Sequence, residues 1–339
     1  MKFTSEQKTA VIQYILSKIA ENRHGLSRTV SENFDISTST VHKYLNELEE
    51  QGVITKTGRD NYALVTKKLS FEYLRSKGEI VSENYIFSNS LETEITELPD
   101  NVKKIWSYAF CEMVNNVIDH SKAEHLCIVI EKNRAFIKVT IADDGVGVFR
   151  KLKDYFNLLS TDEAIIELAK GKLTTDNTCH SGEGIFFTSR IIDEFLIYSD
   201  KKVFTFNKYR ESTLSDIEKD YPFGTVVELT LSNSSKKQLV DVFNTFSDVD
   251  NGFTRTNIPM KNIFDSSPIS RSQAKRLVSR LEQFKEVEID FDGIDFMAQG
   301  FAHEIFCVFA NAHPEIKLIP LNMNENVRKM YRHVTKPTS

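Results

Sequence analysis

The stretch Ile137-Lys138-Val139-Thr140-Ile141-Ala142-Asp143-Asp144-Gly145-Val146-Gly147 constrains this chain more than any other. Apolar and polar residues alternate up to Ile141, the period of a strand with one buried face. The strand then runs into two carboxylates and two glycines. Asp-Gly is a common turn pair, so an ordinary strand-to-loop turn also satisfies the pattern. The choice narrows because three further motifs accompany it, each beside a segment of regular periodicity.

A length of 339 residues exceeds one typical core and predicts two or three domains. No internal repeat is visible, and three segments separate. In residues 1–68, Val11, Ile12, Ile15, Leu16 and Ile19 recur at helical spacing, predicting an amphipathic helix near Ser5–Asn22. Gly25 breaks it, and Ser27 is expected to cap a second short helix. Ser37-Thr38-Ser39-Thr40 opens a third, with Val41, Tyr44, Leu45 and Leu48 on one face, and Gly52 ends it. Val53–Lys56 and Tyr62–Val65 flank a polar tip and read as a hairpin. Three helices and a hairpin are the layout of a winged helix-turn-helix.

Residues 69–235 are expected to start with helices. Strands follow at His125–Glu131, Ala135–Ala142, Phe195–Ser199, Lys202–Phe206 and Thr225–Leu231. The polar run Ser232–Lys237 marks the exit. Residues 236–339 alternate again, with strands at Phe253–Ile258, Val287–Phe291 and Ile316–Leu321. Helices are expected at Ser270–Phe284, Ala298–Ala310 and Glu325–His333. The fold class is therefore multidomain α+β, with a winged helix, a central α/β sandwich and a small C-terminal α/β layer.

The other motifs have their own chemistry. In Glu112–Ser121, Glu112, Asn116 and His120 are four apart and share a helix face, with Asp119 adjacent. An amide oxygen and a carboxylate on one stripe suit a hydrated Mg²⁺ bridging phosphates, though an amphipathic helix with a polar exposed face reads the same way. Asp143, at the end of its strand, can accept an amino proton from adenine, and Gly145 and Gly147 let backbone approach a base. Ser181-Gly182-Glu183-Gly184 precedes a helix, whose N-terminal amides favour phosphate. The preceding Lys170–His180 is polar and loop-like, fit for a lid. In Phe223-Gly224-Thr225, the Thr225 hydroxyl can share a water with Asp143.

In order and separation, the four motifs resemble the Bergerat ATP-binding fold of the GHKL superfamily, which contains gyrase, heat-shock chaperones, histidine kinases and mismatch-repair ATPases. The resemblance spans Asn101–Leu231. It implies ATP and Mg²⁺ as cofactors, Asn116 as the metal ligand, Asp143 on adenine, and Gly145 and Gly147 around the base. It places Gly182 and Gly184 at the phosphates and Thr225 behind the adenine contact. Glu112 resembles the base that activates water in the hydrolytic branch, and anti-sigma serine kinases have a glutamate there too. Mg-dependent hydrolysis, a serine kinase acting on a separate partner and a non-catalytic nucleotide-binding scaffold all remain open. No Walker-type glycine-lysine motif occurs.

The C-terminal segment, from Ser270–Leu277 through Val287–Gly300 to Glu304, resembles the STAS-like DUF4325 family. That implies a protein partner. The position of the phosphorylatable serine in STAS proteins is filled by Gln299.

The net charge is −5, but residues 1–68 hold 10 Lys and Arg against 8 Asp and Glu, a local excess of +2. Ser37, Thr38, Ser39, Thr40, His42 and Lys43 on the third helix can reach phosphates and base edges of duplex DNA, and Lys56 and Arg59 of the hairpin can reach backbone. So weak a local charge predicts a homodimer offering two recognition helices. The four scattered cysteines and the lack of an 18-residue apolar run predict a cytoplasmic protein without a membrane span or disulfide framework.

Overall fold

The computed structural model describes residues 4–21, 25–172, 183–206, 224–248, 252–264 and 267–336. The architecture is mixed helix and sheet, with a helical N-terminal unit, a central sheet and a small C-terminal unit.

The N-terminal unit comprises α1 (Ser5–Ala20), α2 (Leu26–Phe34), α3 (Thr38–Glu50) and an antiparallel hairpin of β1 (Ile54–Gly58) and β2 (Asn61–Leu64). Thr4 and Gln7 form a capping box on α1. Ser37 caps α3 through its hydroxyl, which accepts the Thr40 N–H. Ser27 does not cap α2. Gly25 holds that position in the left-handed region, and Ser27 is buried, bonding the Asp60 carboxylate at the hairpin turn. Val11, Ile15, Val30, Val41, Leu45 and Ile54 belong to a core of their own, against which Ala135 of the central unit also packs.

The central sheet has six antiparallel strands in the order β3-β4-β5-β8-β6-β7. They are β3 (Lys67–Leu74), β4 (His125–Lys132), β5 (Phe136–Asp143), β6 (Glu194–Ser199), β7 (Lys202–Phe206) and β8 (Thr225–Ser232). The edge strand β3 stands where helices are expected to begin. Its Leu69, Phe71 and Tyr73 alternate onto the core side. Only Val65 and Thr66 separate it from the hairpin, so the N-terminal unit runs directly into the sheet.

Helices α4 (Glu83–Ser90), α5 (Glu92–Ile95) and α6 (Asp100–Asn116) follow β3. Trp106, Phe110, Met113 and Val114 of α6 share one core with Ile128, Ile130, Val139, Ile141, Leu229 and Leu231 of the sheet. The alternate positions form a more polar face, where Lys138 and Glu228 pair at 2.9 Å. Helices α7 (Val148–Tyr155), α8 (Thr161–Lys170) and α9 (Gly184–Ile191) lie between β5 and β6 in sequence.

After the sheet, α10 (Leu239–Phe246) packs Phe243 against Tyr108 of α6 and Phe187 of α9, at centroid distances of 5.4 and 4.5 Å. A two-strand ribbon, β9 (Ser247–Asp248) with β10 (Gly252–Phe253), leads into a parallel sheet of β11 (Arg255–Pro259), β12 (Glu286–Asp290) and β13 (Lys317–Leu321). Its helices are α11 (Arg271–Val278), α12 (Gln299–His303), α13 (Ala310–Ala312) and α14 (Glu325–Thr335). A π-helical stretch, Glu304–Phe309, joins α12 to α13. The helix expected over Ser270–Phe284 stops at Val278, because the backbone leaves the helical region at Ser279 and turns left-handed at Arg280. Central and C-terminal residues, from Tyr73 to Val327, belong to one continuous core.

Candidate functional site

Strands β4, β5, β8 and β6 end side by side, with Leu126 opposite Asp143, Asp143 opposite Thr225 and Thr225 opposite Ser199. Asp143 is 3% exposed. One carboxylate oxygen accepts the Gly145 N–H at 2.9 Å, and the other has no hydrogen-bond partner among the described residues. Burial pushes this carboxyl up to about 7, the Asp144 charge adds to the rise, and the Gly145 N–H opposes it. A buried acceptor at a strand end, with capacity to spare, suits an amino donor from a ligand.

The motifs meet pairwise. Val146 N–H donates to Ser121 O at 2.8 Å, joining the glycine turn to the end of the Glu112–Ser121 motif. Gly224 N–H donates to Asp143 O at 2.7 Å, and the Thr225 hydroxyl accepts the Val148 N–H at 3.2 Å. Gly184, opening α9, abuts the Glu112 carboxylate so closely that a β-carbon there would collide with Oε2. Residues 112–121, 143–148, 184 and 224–225 are thus linked by direct contacts, although they come from well-separated parts of the chain.

The glycines also make close contacts within the protein. A β-carbon on Gly145 would strike Ser121 O, and one on Gly224 would strike Gly145 O. One on Gly147 would lie 2.5 Å from Asp200 Oδ2 and 2.6 Å from Ser199 Oγ. Their bare Cα atoms admit neighbouring protein, and the shape of the region follows from that packing. Gly182, expected at the phosphates, and residues 173–180 of the expected lid lie outside the described residues. Lys170, read as the start of that loop, instead ends α8 and is buried.

The polar stripe is only partly retained. The α-helical ladder ends at Asn116, and Val117–Ser121 continues as a π turn. A change to i→i+5 bonding ends the four-residue repeat, so His120 no longer extends the line of Glu112 and Asn116. His120 is half-buried and Asp119 exposed, while Glu112 and Asn116 are half-buried. Two cations that sequence reasoning missed hold this turn. Arg75, just after β3, donates from Nε to Ala123 O at 2.7 Å and from Nη2 to Val117 O and Ile118 O at 3.4 and 3.3 Å. Lys151 of α7 donates to His120 O at 2.9 Å. Cations at C-terminal carbonyls satisfy acceptors that the helix leaves open.

Glu112 sits in an anionic neighbourhood. Burial, then the charges of Glu112 and Glu183, raise the Tyr108 hydroxyl well above its ordinary range. The Cys111 thiol is pushed up to about 11 by burial and by Glu83 and Glu112. Among the described residues no group of three or more His, Cys, Asp or Glu side chains could hold a metal by itself. Mg²⁺ on phosphates needs only one or two protein ligands, with phosphate and water oxygens completing its shell. Asn116 fits that requirement.

In the N-terminal unit, Ser37, Thr38, Ser39, His42, Lys43, Lys56 and Arg59 are exposed, and Thr40 is half-buried. The Ser37 hydroxyl also contacts Ser39 and Thr40 hydroxyls at 2.7 and 2.9 Å, so capping engages part of this group. Carboxylates further along α3 are tied back, Glu47 to Lys8 at 2.7 Å and Glu49 to the Lys56 N–H at 3.3 Å. The open end of α3 therefore presents hydroxyls, an imidazole and an ammonium. Cys111, Cys127 and Cys307 are free thiols, and Cys179 lies outside the described residues. No described helix is long and apolar enough to cross a membrane.

Two family descriptions match the chain. A DeoR-like helix-turn-helix domain matches residues 12–58, from within α1 to the end of β1. A STAS-like domain of unknown function, DUF4325, matches residues 273–328, from α11 into α14. Both lie outside the stretch that carries the four motifs. No curated protein matches the chain.

Proposed function

We propose that this protein is a DNA-binding regulator whose central unit binds ATP with Mg²⁺. The DNA part rests on the helix-turn-helix match and on the hydroxyl, imidazole and ammonium groups at the open end of α3. The observation that carries the nucleotide part is Asp143, a buried strand-end carboxylate with one unpartnered oxygen, beside which three separated motifs meet while the fourth reaches Glu112.

In this reading Asp143 accepts the adenine amino proton and Thr225 supports it from the neighbouring strand. Asn116 would hold Mg²⁺, which would offset the phosphate charge. The N-terminal amides of α9 face the phosphates. Glu112, against Gly184 at that helix start, orients a water for attack. An identically placed carboxylate can orient a serine hydroxyl, so transfer to a partner protein is the competing chemistry.

Incubation with γ-labelled ATP and Mg²⁺ tests this. Free phosphate supports hydrolysis. Phosphoserine on a partner means a kinase, and ATP bound without either product means a scaffold. Calorimetry showing no ATP binding to the folded protein would remove the nucleotide reading. Fluorescence anisotropy with duplex genomic fragments tests DNA binding, and its absence at low salt would make the N-terminal unit a protein-contact module.

A further inference from the structure

Helices α8 and α9 bracket the third motif in sequence, and both are bonded to the C-terminal unit. Lys170, the last residue of α8, is 1% exposed. Its ammonium donates to Glu167 Oε1 at 2.6 Å, and to Ser279 O and Arg276 O at 2.6 and 3.2 Å, at the end of α11. Thr256 of β11 returns a bond from its hydroxyl to Lys170 O at 2.6 Å. Two residues on, Lys172 donates to Gln283 O at 2.9 Å and lies over the rings of Phe253 and Phe284.

From α9, Arg190 donates to Asn257 O of β11 at 2.9 Å and to Ala169 O of α8 at 3.2 Å. Its guanidinium lies 3.9 Å from the ring centroids of both Phe186 and Phe206. No carboxylate pairs with it among the described residues. Lys170 and Arg190 on the two helices, and Lys172 just past α8, are bonded largely to main-chain carbonyls, several belonging to the C-terminal unit, while Arg190 Nε has no partner among the described residues. Such acceptors serve only while that backbone stays in place. A buried charge deprived of partners is costly, so the helices and the C-terminal unit hold one another in register.

We propose that the C-terminal unit responds to nucleotide occupancy through this contact, with Lys170 and Arg190 as positioning residues that link α8 and α9 to β11 and α11. The inference rests on the ATP reading and assigns a regulatory role to the STAS-like unit. A ligand at the start of α9 acts on a helix whose last turn bonds Asn257 O. If it favours one placement of that helix, it favours one placement of β11, and the effect is reciprocal.

The test is hydrogen exchange on the full-length protein with and without saturating ATP and Mg²⁺. Amides of β11 and of residues 271–284 should gain several-fold more protection than those of α1, which has a separate core. Thr256→Val, which removes one hydroxyl bond, and Lys170→Met should both reduce that gain. Both should also change ATP affinity, by roughly fivefold or more for a coupling of ordinary size. Thr256→Val keeps the test informative if Lys170→Met fails to fold. ATP binding with unchanged exchange in these segments, or with wild-type affinity in folded variants, overturns this inference and leaves the ATP reading standing. Absence of ATP binding to the wild type overturns the ATP reading itself.

Discussion

The carboxylate of Glu112 fills the space that a β-carbon on Gly184 would need. The residue proposed to activate water and the start of the helix proposed to face the phosphates are thus in direct contact. Glu112→Ala should keep ATP binding and lose turnover by roughly 10²–10⁴-fold, the range for a positioned general base. Gly184→Ala should also lower turnover, because the new methyl pushes the carboxylate aside. Phosphate release beside calorimetric titration separates rate from affinity. Equal turnover in wild type and Glu112→Ala would make Glu112 structural and favour the scaffold.

Asp143→Asn should abolish ATP binding while the fold persists. Asparagine keeps the shape, but it can turn its amide donor toward the base where an acceptor is needed. Titration of the folded variant with ATP decides the point, and unchanged affinity would remove Asp143 from the adenine contact.

The raised Asp143 carboxyl has a pH consequence. Between the ordinary value of 3.8 and about 7, the folded protein retains a proton there that the unfolded chain releases. Its contribution therefore makes the nucleotide-free protein less stable as pH rises through that window and constant above it. The ionised carboxylate is the better acceptor, so ATP affinity should rise over the same window, by up to about tenfold per unit. ATP titrations of the wild type at a series of pH values check the affinity, and thermal unfolding of wild type and Asp143→Asn over the same values checks the stability, with the other titrating groups common to both. A flat unfolding difference between the two proteins would contradict it.

Arg75→Ala should loosen the π turn after Asn116, since the Ala123 and Ile118 carbonyls lose a donor while Val117 O retains the Ser121 hydroxyl. The cost in stability should be about 1–3 kcal/mol, the usual range for partly buried acceptors left unpaired. If the turn fixes Asn116, half-maximal ATP binding will need more Mg²⁺, while metal-free nucleotide affinity changes little. Asn116→Ala should show the same split more strongly. An unchanged Mg²⁺ requirement in Arg75→Ala would confine Arg75 to a stabilising role.

Lys43→Glu should weaken duplex binding and reduce its salt dependence by about one phosphate contact. Anisotropy titrations over a range of salt measure the slope. ATP should shift the DNA affinity, because β3 follows the hairpin after only two residues and lies in the same sheet as Asp143. Sedimentation at binding concentrations tests the expected homodimer. DNA binding that ATP never alters would make the two sites independent.

Much of the fold was legible because it depends on local periodicity. Helical spacing in Val11–Ile19, alternation in Ile137–Ile141 and the Ser37 cap act within a turn or a strand, and they appear where the sequence places them. The alternation in β3 was equally present in Leu69, Phe71 and Tyr73, yet a short run reads as a strand securely only when its partner is known, and β4 lies some fifty residues away. The order of the four motifs was legible, but their meeting was not. Asp143 is a surface carboxylate or a buried one according to what packs over the strand end. The π turn is a change of backbone ladder that no side chain announces. Arg75, Lys151, Lys170 and Arg190 bond main-chain carbonyls, which every residue carries alike. Sequence therefore determined the elements and the chemical groups they carry, whereas tertiary structure decided which backbone acceptors those groups reach, because that depends on distances set only when distant segments pack together.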